Sequence, residues 1–405
     1  MLIKDTEQWA ENLFANADLG DQRRTKRLVK LSEQMAANIG SSIVQSSDSQ
    51  ASVEGAYRFI RNDKIIASSI ATAGFNALLS ALKQASTILA LEDTSTLTYK
   101  HSVKKELGHT GPRKDCAAKG MMAHSVLMVD ADNENTIGLG EQYRWCRNSK
   151  SFGKSRQRAE RDYCDKESYK WQRASESMAT RFAPVMNNII SVCDRESDLF
   201  DYIKYKQENQ QRFVVRANHD RKLFNESFKV SEFIAKQSTE VSYQVKIQQK
   251  GGRKSRVANV DVRYAQVEVG GPKQRGKTEK EQLTIISCDE VLPPEGTKPL
   301  CWKLYTNESI KTAEQALKIV RYYELRWRVE EFHKAWKSAG TQVESLRLQS
   351  RSNLEKMIVI TAFIAVRLLQ LRELVSTKNA AEDINCQEFF SPLEWKLLWT
   401  KTEKK

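Results

Sequence analysis

Two short apolar runs, each stopped by an acid, constrain this chain more than any other feature. Ser86–Leu91 (STILAL) stops at Glu92–Asp93, and Asn188–Cys193 (NIISVC) stops at Asp194. Runs of this kind suit strands buried in a sheet. Ala123–Val129 and Phe213–Arg216 are two further strand candidates, and Ile65–Ala85 and Trp171–Met186 read as helices. This alternation makes residues 63–235 an α/β core with a mixed sheet. An apolar strand fixes its backbone, so an acid at its end is a carboxylate that reaches a cleft from a rigid base.

A third rigid carboxylate comes from YELRWRVEEFHKAWK, residues 323–337. At about 100° per residue, Leu325, Val329, Phe332 and Trp336 share a sector of about 60° and form a core stripe. Tyr323, Arg326, Glu330, His333 and Lys337 fall within roughly 80° on the opposite side of the same helix. A carboxylate can hold a metal ion, and Arg and Lys can hold phosphate oxygens. Two-metal phosphoryl chemistry needs acids converging around ions about 3.5–4 Å apart. Asp93, Asp194 and Glu330 are the candidates. Each has a rival. Glu92 lies on the opposite face of the pleat from Asp93, and the sequence does not say which faces the cleft. Glu196 and Asp198 compete with Asp194, though Asp198 reads as the N-cap of the helix that starts LFDYI. Glu331 lies about 100° round from Glu330, away from Arg326 and Lys337. The plainer reading of each acid is a turn or cap residue, and of each cation a surface ion pair.

Charge supplies the partner. Lys+Arg is 65 against Asp+Glu 51, a net +14, which fits a nucleic acid. No window approaches the roughly 18 apolar residues of a membrane span, and the first residues lack the apolar core of a signal peptide. The seven cysteines include no CxxC pair, which fits reduced thiols in a cytoplasm, and the five histidines form no HExxH. Residues 1–62 read as short helices: one capped by Asp5, one over 22–38 capped by Asp21 and ending near Gly40, and one over 51–61. Arg23, Arg27 and Lys30 share a face of the second. Residues 236–310 change texture. Val241–Gln248 and Val257–Val269 alternate as antiparallel strands, with turns at Gly251–Gly252 and Gly270–Gly271. Basic connections follow, including Lys250, Arg253, Lys254, Arg256, Lys273, Arg275, Lys277 and Lys280. Asn353–Val375 reads as a long amphipathic helix, and the tail from about 376 ends in KTEKK.

Together these residues resemble the DDE transposases of bacterial insertion sequences, in the subgroup marked by a Tyr-x2-Arg-x3-Glu-x6-Lys signature. That signature stands at Tyr323, Arg326, Glu330 and Lys337. LALEDTSTLTY resembles the segment of the family's first Asp, placing it at Asp93, and VCDRESD that of the second, placing it at Asp194. LGDQRRTKRLV, EGAYRFIRN, RFVVR and VRLLQLRE also resemble family segments, so the likeness runs from about residue 8 to 375.

The resemblance implies an α/β fold: an RNase H-like mixed sheet flanked by helices, with a β-strand insertion and a helical N-terminal domain. It divides the chain into 1–62 for binding transposon ends, 63–235 for the first part of the catalytic core, and 236–310 for the insertion. Residues 311–375 complete the core, and 376–405 stand as a short C-terminal tail, a truncated dimerisation region. It implies cut-and-paste transposition with Mg2+, or Mn2+ as a substitute: nicking, hairpin formation, hairpin opening and strand transfer. Asp93, Asp194 and Glu330 would be catalytic metal ligands. Tyr323, Arg326 and Lys337 would hold hairpin phosphates, Trp302 would stack on a flipped base, and Arg216 would stand at the rim of the site. Arg27, with Arg23 and Lys30 beside it, would contact the DNA end. The partners implied are double-stranded DNA, as transposon ends and target, and a second copy in a homodimeric synaptic complex. The location implied is a bacterial cytoplasm, at the nucleoid when DNA is bound.

Two departures matter. Ala37 and Asn38 stand where a family member has Lys and Tyr, so the recognised end is expected to differ. The family's subunit-pairing helices extend beyond the length of this tail, which raises the alternatives of an end-binding inhibitor, a decayed copy or a basic non-enzymatic DNA-binding protein.

Overall fold

The two N-terminal acids act as the caps the sequence suggests. In a computed structural model that describes residues 5–111, 118–148, 161–247, 255–274, 277–376 and 400, Asp5 accepts hydrogen bonds from the Glu7 and Gln8 amides and opens α1 (Thr6–Phe14). Asp21 accepts from the Arg23 amide at 2.8 Å and opens α2 (Gln22–Ala37). Each satisfies an amide that the first turn leaves unpaired. Then come α3 (Ile43–Ser46), α4 (Gln50–Arg61), α5 (Ala67–Asn76) and α6 (Leu79–Leu82). The single helix expected over 65–85 is thus two. The Leu78 amide bonds back to the Phe75 carbonyl, an i to i+3 closure that ends α5.

The strands are β1 (Ile88–Tyr99), β2 (Gly108–His109), β3 (Lys119–Asp130), β4 (Thr136–Trp145), β5 (Ile189–Cys193) and β6 (Arg212–Arg216), then β7 (Val241–Ile247), β8 (Arg256–Gln274), β9 (Lys277–Glu290) and β10 (Cys301–Thr306). They form one mixed ten-stranded sheet in the order β2-β3-β1-β5-β6-β10-β9-β8-β7, with β4 also on β3. Only β1-β5-β6 is parallel. The β-rich stretch after residue 240 therefore continues the same sheet through β10 rather than building one of its own.

Two sequence expectations are corrected here. β1 does not stop at Glu92–Asp93. It runs on to Tyr99, because β3 pairs with it along its whole length, from Ile88 opposite Asp130 to Tyr99 opposite Lys119. On its other edge β5 pairs only with Ile88–Leu91. Asp93 thus stands mid-strand, just past the point where one neighbour has ended. Gly270–Gly271 is not a turn either. β8 passes through both, with a register shift between Gly270 and Lys273. A Cβ on Gly271 would meet the Phe200 ring at 2.5 Å, so the glycine admits a close approach within the strand. Gly251–Gly252, Lys250, Arg253, Lys254 and Arg275 lie outside the described residues, as does the tail from 377 apart from residue 400.

Helices α7 (Lys170–Arg181), α8 (Phe200–Glu208) and α9 (Val230–Ala235) precede α10 (Ala313–Leu325), α11 (Trp327–Lys334) and α12 (Arg351–Ser376). The signature segment is not one uniform helix. Arg326 joins α10 to α11 through i to i+3 bonds on both sides, and Ala335–Ala339 is a π-helical turn. Nor is α12 amphipathic along its length. From Lys356 to Arg367 every residue is buried, because the helix passes between the N-terminal helices and the sheet. Lys356 Nζ donates there to the Ile60 and Asn62 carbonyls, at 2.8 and 3.0 Å. No helix among the described residues is long and apolar enough to cross a membrane.

Candidate active site and nucleic-acid interface

Register brings the first two carboxylates together. Leu91 pairs with Val192 in the parallel β1–β5 ladder, so two residues further on Asp93 stands beside Asp194. Glu92 points the other way. It is wholly buried, 3.2 Å from His124, whereas the Asp93 side chain is 24% exposed. The pleat thus resolves the choice the sequence left open. Asp194 closes β5, and its Oδ1 accepts the Glu196 amide at 2.8 Å. The rivals are engaged elsewhere. Glu196 pairs with Lys170 at 3.0 Å and Glu331 with Arg372 at 2.8 Å. Asp198 is not the expected N-cap, since Leu199 holds that position in α8. Asp198 is instead buried, accepting the Asn218 and His219 amides and pairing with Arg221.

The third carboxylate arrives with a counter-charge. Arg326 Nη2 donates to Glu330 Oε1 at 2.7 Å across one helical turn. The same guanidinium acts on both aspartates. Burial pushes Asp93 up, but His333, with Nδ1 at 3.5 Å, and Arg326 together hold it below its usual range. At Asp194 burial wins, aided by the negative charges of Asp93 and Glu196, and its pKa is raised despite Arg326. Burial also works against the charge on Arg326, yet Tyr323, Asp93 and Glu330 raise its pKa. Arg326 is thus the cation that the three acids share. Its Nη1 and His333 Nε2 are buried without hydrogen-bond partners among the described residues.

Among the described residues no three His, Cys, Asp or Glu side chains stand close enough together to hold a metal ion. The donor set nonetheless fits a hard divalent cation in kind, being three carboxylates. Glu330 is bonded to Arg326, whose charge also acts on both aspartates.

Beyond Arg326 lies a cleft of about 760 Å³ bordered by Trp302, Tyr323, Arg326 and Glu330. Tyr323 is its hub. Trp302, from β10, meets it edge-to-face at 5.1 Å between centroids, and the Arg216 and Arg326 guanidiniums each lie 5.9 Å from its ring. Arg195, Lys246, Arg256 and Arg321 also border the cleft. Sequence reading passed over Arg195 and Arg321, although they stand next to Asp194 and two residues before Tyr323. Their carriers were legible and their direction was not.

Asp93, Asp194 and Lys337 do not border this cleft. Lys337 thus stands with the two aspartates outside that cleft, toward β1. The π turn alters the phase, and Lys337 Nζ donates to the Thr96 carbonyl of β1 at 2.7 Å. On α2 the three cations are also engaged. Arg23 is exposed and bonds to Asp21, Lys30 pairs with Glu33 at 3.2 Å, and Arg27 lies against Gly55 of α4.

Residues 6–65 match a family model described as transposase DNA-binding, and residues 172–367 match one described as transposase DDE domain. Arg23, Arg27 and Lys30 fall in the first. Asp194, Arg216, Trp302, Tyr323, Arg326, Glu330 and Lys337 fall in the second, and Asp93 in neither.

Proposed function

From a chain that carries a transposase DNA-binding domain and a transposase DDE domain, we propose that this protein cuts and rejoins DNA as the cut-and-paste transposase of an insertion sequence. The observation that supports the reading is the register of Asp93 beside Asp194, with Arg326 acting on both and bonded to Glu330. We assign all three acids as ligands of Mg2+, or of Mn2+ in its place, on an RNase H-like core. When bound, such ions activate an attacking oxygen and stabilise the leaving one.

This chain's own residues set the rest. Arg326 presents a fork of donors of which Nη2 meets Glu330, and a scissile phosphate can accept from such a fork as a carboxylate does. Exchange of Glu330 for phosphate frees the acid as the DNA arrives. Arg216 and the cations of the cleft attract the backbone, and Trp302 offers an aromatic face to a base leaving the stack. Each step of nicking, hairpin formation, opening and joining is an in-line attack of oxygen on phosphorus, so one site serves all four.

We assign 1–62 to the transposon end, 63–235 and 311–375 to the core, and 236–310 to an insertion that widens the cleft. The partners are duplex DNA and a second copy of the chain in a synaptic complex, within a bacterial cytoplasm. Glu330→Ala tests the assignment on a plasmid carrying the DNA that flanks the coding sequence. Loss of Mg2+-dependent nicking, with end binding kept, is expected. Nicking at the normal rate by Glu330→Ala would falsify it.

A further inference from the structure

A second basic groove runs along the outer edge of the sheet. A cavity of about 550 Å³ lies between α5, β4, α7 and the start of α12. Arg144 from β4, Arg173 and Arg181 from α7, and Arg351 from α12 border it, with Glu141 and Glu355. Two of the four guanidiniums are answered: Arg181 by Glu141 at 2.8 Å, and Arg351 by Glu355 at 2.7 Å. The other two hydrogen-bond to no carboxylate among the described residues, although the charges of Glu355 and Glu141 reach Arg144. Arg144 donates only to the Gln142 carbonyl and side chain, and its Nε is buried without a partner. Arg173 is exposed, lies 3.8 Å from the centroid of the Tyr143 ring, and pairs with no carboxylate among the described residues. Two guanidiniums with no hydrogen-bonded carboxylate thus face one cavity, and burial works against the charge on Arg144, so an arriving anion is favoured there.

The cavity continues. A second hollow of about 340 Å³ shares Tyr143 and Arg173 with it and adds Trp145, Arg147 and Lys170. Tyr143 and Trp145 stack at 5.1 Å, and Arg173 and Lys170 cap the two rings. From residue 141 to 147 an extended chain spans about 20 Å. That is the reach of a strand rather than of one small ion. Because the rings already stack on one another and carry cations, they have no free face for a base. The groove reads backbone.

We propose that the β4 groove binds the phosphodiester backbone of duplex DNA outside the cleft at Tyr323, with Arg144 and Arg173 taking its phosphates. This rests on the reading that the chain acts on DNA. The groove shares no bordering residue with the cleft, so it holds DNA that is not at the carboxylates.

Binding of a fluorescent duplex of arbitrary sequence to the full chain, measured across a salt series, tests this. Arg173→Glu should weaken binding about fivefold or more at about 0.1 M salt and make the log–log salt slope shallower by about one. Arg173→Gln should give a smaller loss, with both variants melting as the wild type does. Unchanged affinity and slope in Arg173→Glu, while Arg216→Glu weakens binding, overturns this proposal and leaves the transposase reading standing. No duplex binding by the wild type removes both. Inorganic phosphate that raises the wild-type melting point but not that of Arg173→Glu, with duplex affinity equal in the two, assigns the site to free phosphate and also overturns it.

Discussion

Among single residues, Arg326 decides how the acids coexist. It hydrogen-bonds Glu330 and eases the charge on Asp93 and Asp194, which lie near each other. Asp194 shows the strain that is left. Its pKa is raised above the ordinary 3.8, chiefly by burial. A folded carboxyl with a raised pKa binds its proton more tightly than the unfolded one. Stability is therefore lost as pH rises from about 3.8 through the folded value. Asp194→Asn keeps the oxygen that accepts the Glu196 amide and removes the charge. Without divalent ions at pH 7 it should melt about 1–3 °C above the wild type, and the gap should close near pH 4. Added Mg2+ should stabilise the wild type and not the variant. A variant that melts lower at pH 7, or that gains equally from Mg2+, would show that Asp194 carries neither burden. That these acids are candidates, beside rivals such as Glu92, was readable from apolar runs and helical phase. That Arg326 serves all three was not, because pairing between distant elements is set by register, and the strand following Asp93 was read as ending.

For the elements, the signature segment teaches how far periodicity reaches. Its apolar stripe was legible, and Val329, Phe332 and Trp336 are fully buried. The polar face was drawn for a regular helix, yet the tight turn at Arg326 and the π turn at 335–339 change the phase, and Lys337 goes to β1. No side-chain pattern announces a π turn, since it answers to packing against α12. β10 matters more directly, because it sets Trp302 against Tyr323 at the edge of the cleft. If Trp302 stacks on a displaced base, its loss affects only steps in which a base leaves the helix. Stacking of this kind contributes about 1–3 kcal/mol, so Trp302→Ala should slow hairpin formation about tenfold or more. First-strand nicking should change little. Equal slowing of both steps in single-turnover gels would make Trp302 a packing residue for Tyr323.

Across the whole molecule, α12 decides whether the N-terminal helices move with the sheet. Residues 6–65 match a family model of their own, and the resemblance implied a separate helical domain over 1–62. The packing joins them. Phe363 lies 5.5 Å from Phe14 of α1 and 5.6 Å from Phe75 of α5, and Gly74 gives it room, since a Cβ there would sit 2.3 Å from its ring. Lys356 bonds to carbonyls at the end of α4, and the Arg367 guanidinium lies over Trp9. One buried cluster therefore runs from Trp9 to Leu369 through the face of the sheet. A helix apolar on every side was read as amphipathic because its two partners are distant in sequence and each claims a different face. Phe363→Ala opens a cavity shared by both bodies and should cost about 3–5 kcal/mol. Because the cluster is continuous, the loss should appear as one lowered melting transition, coincident by tryptophan fluorescence and by far-ultraviolet circular dichroism. If the helical segment instead melted ahead of the sheet, end DNA could be gripped by a loosely tethered module. A single transition means that the helices matching the DNA-binding model are held at a fixed angle to the sheet by the same core that holds the fold.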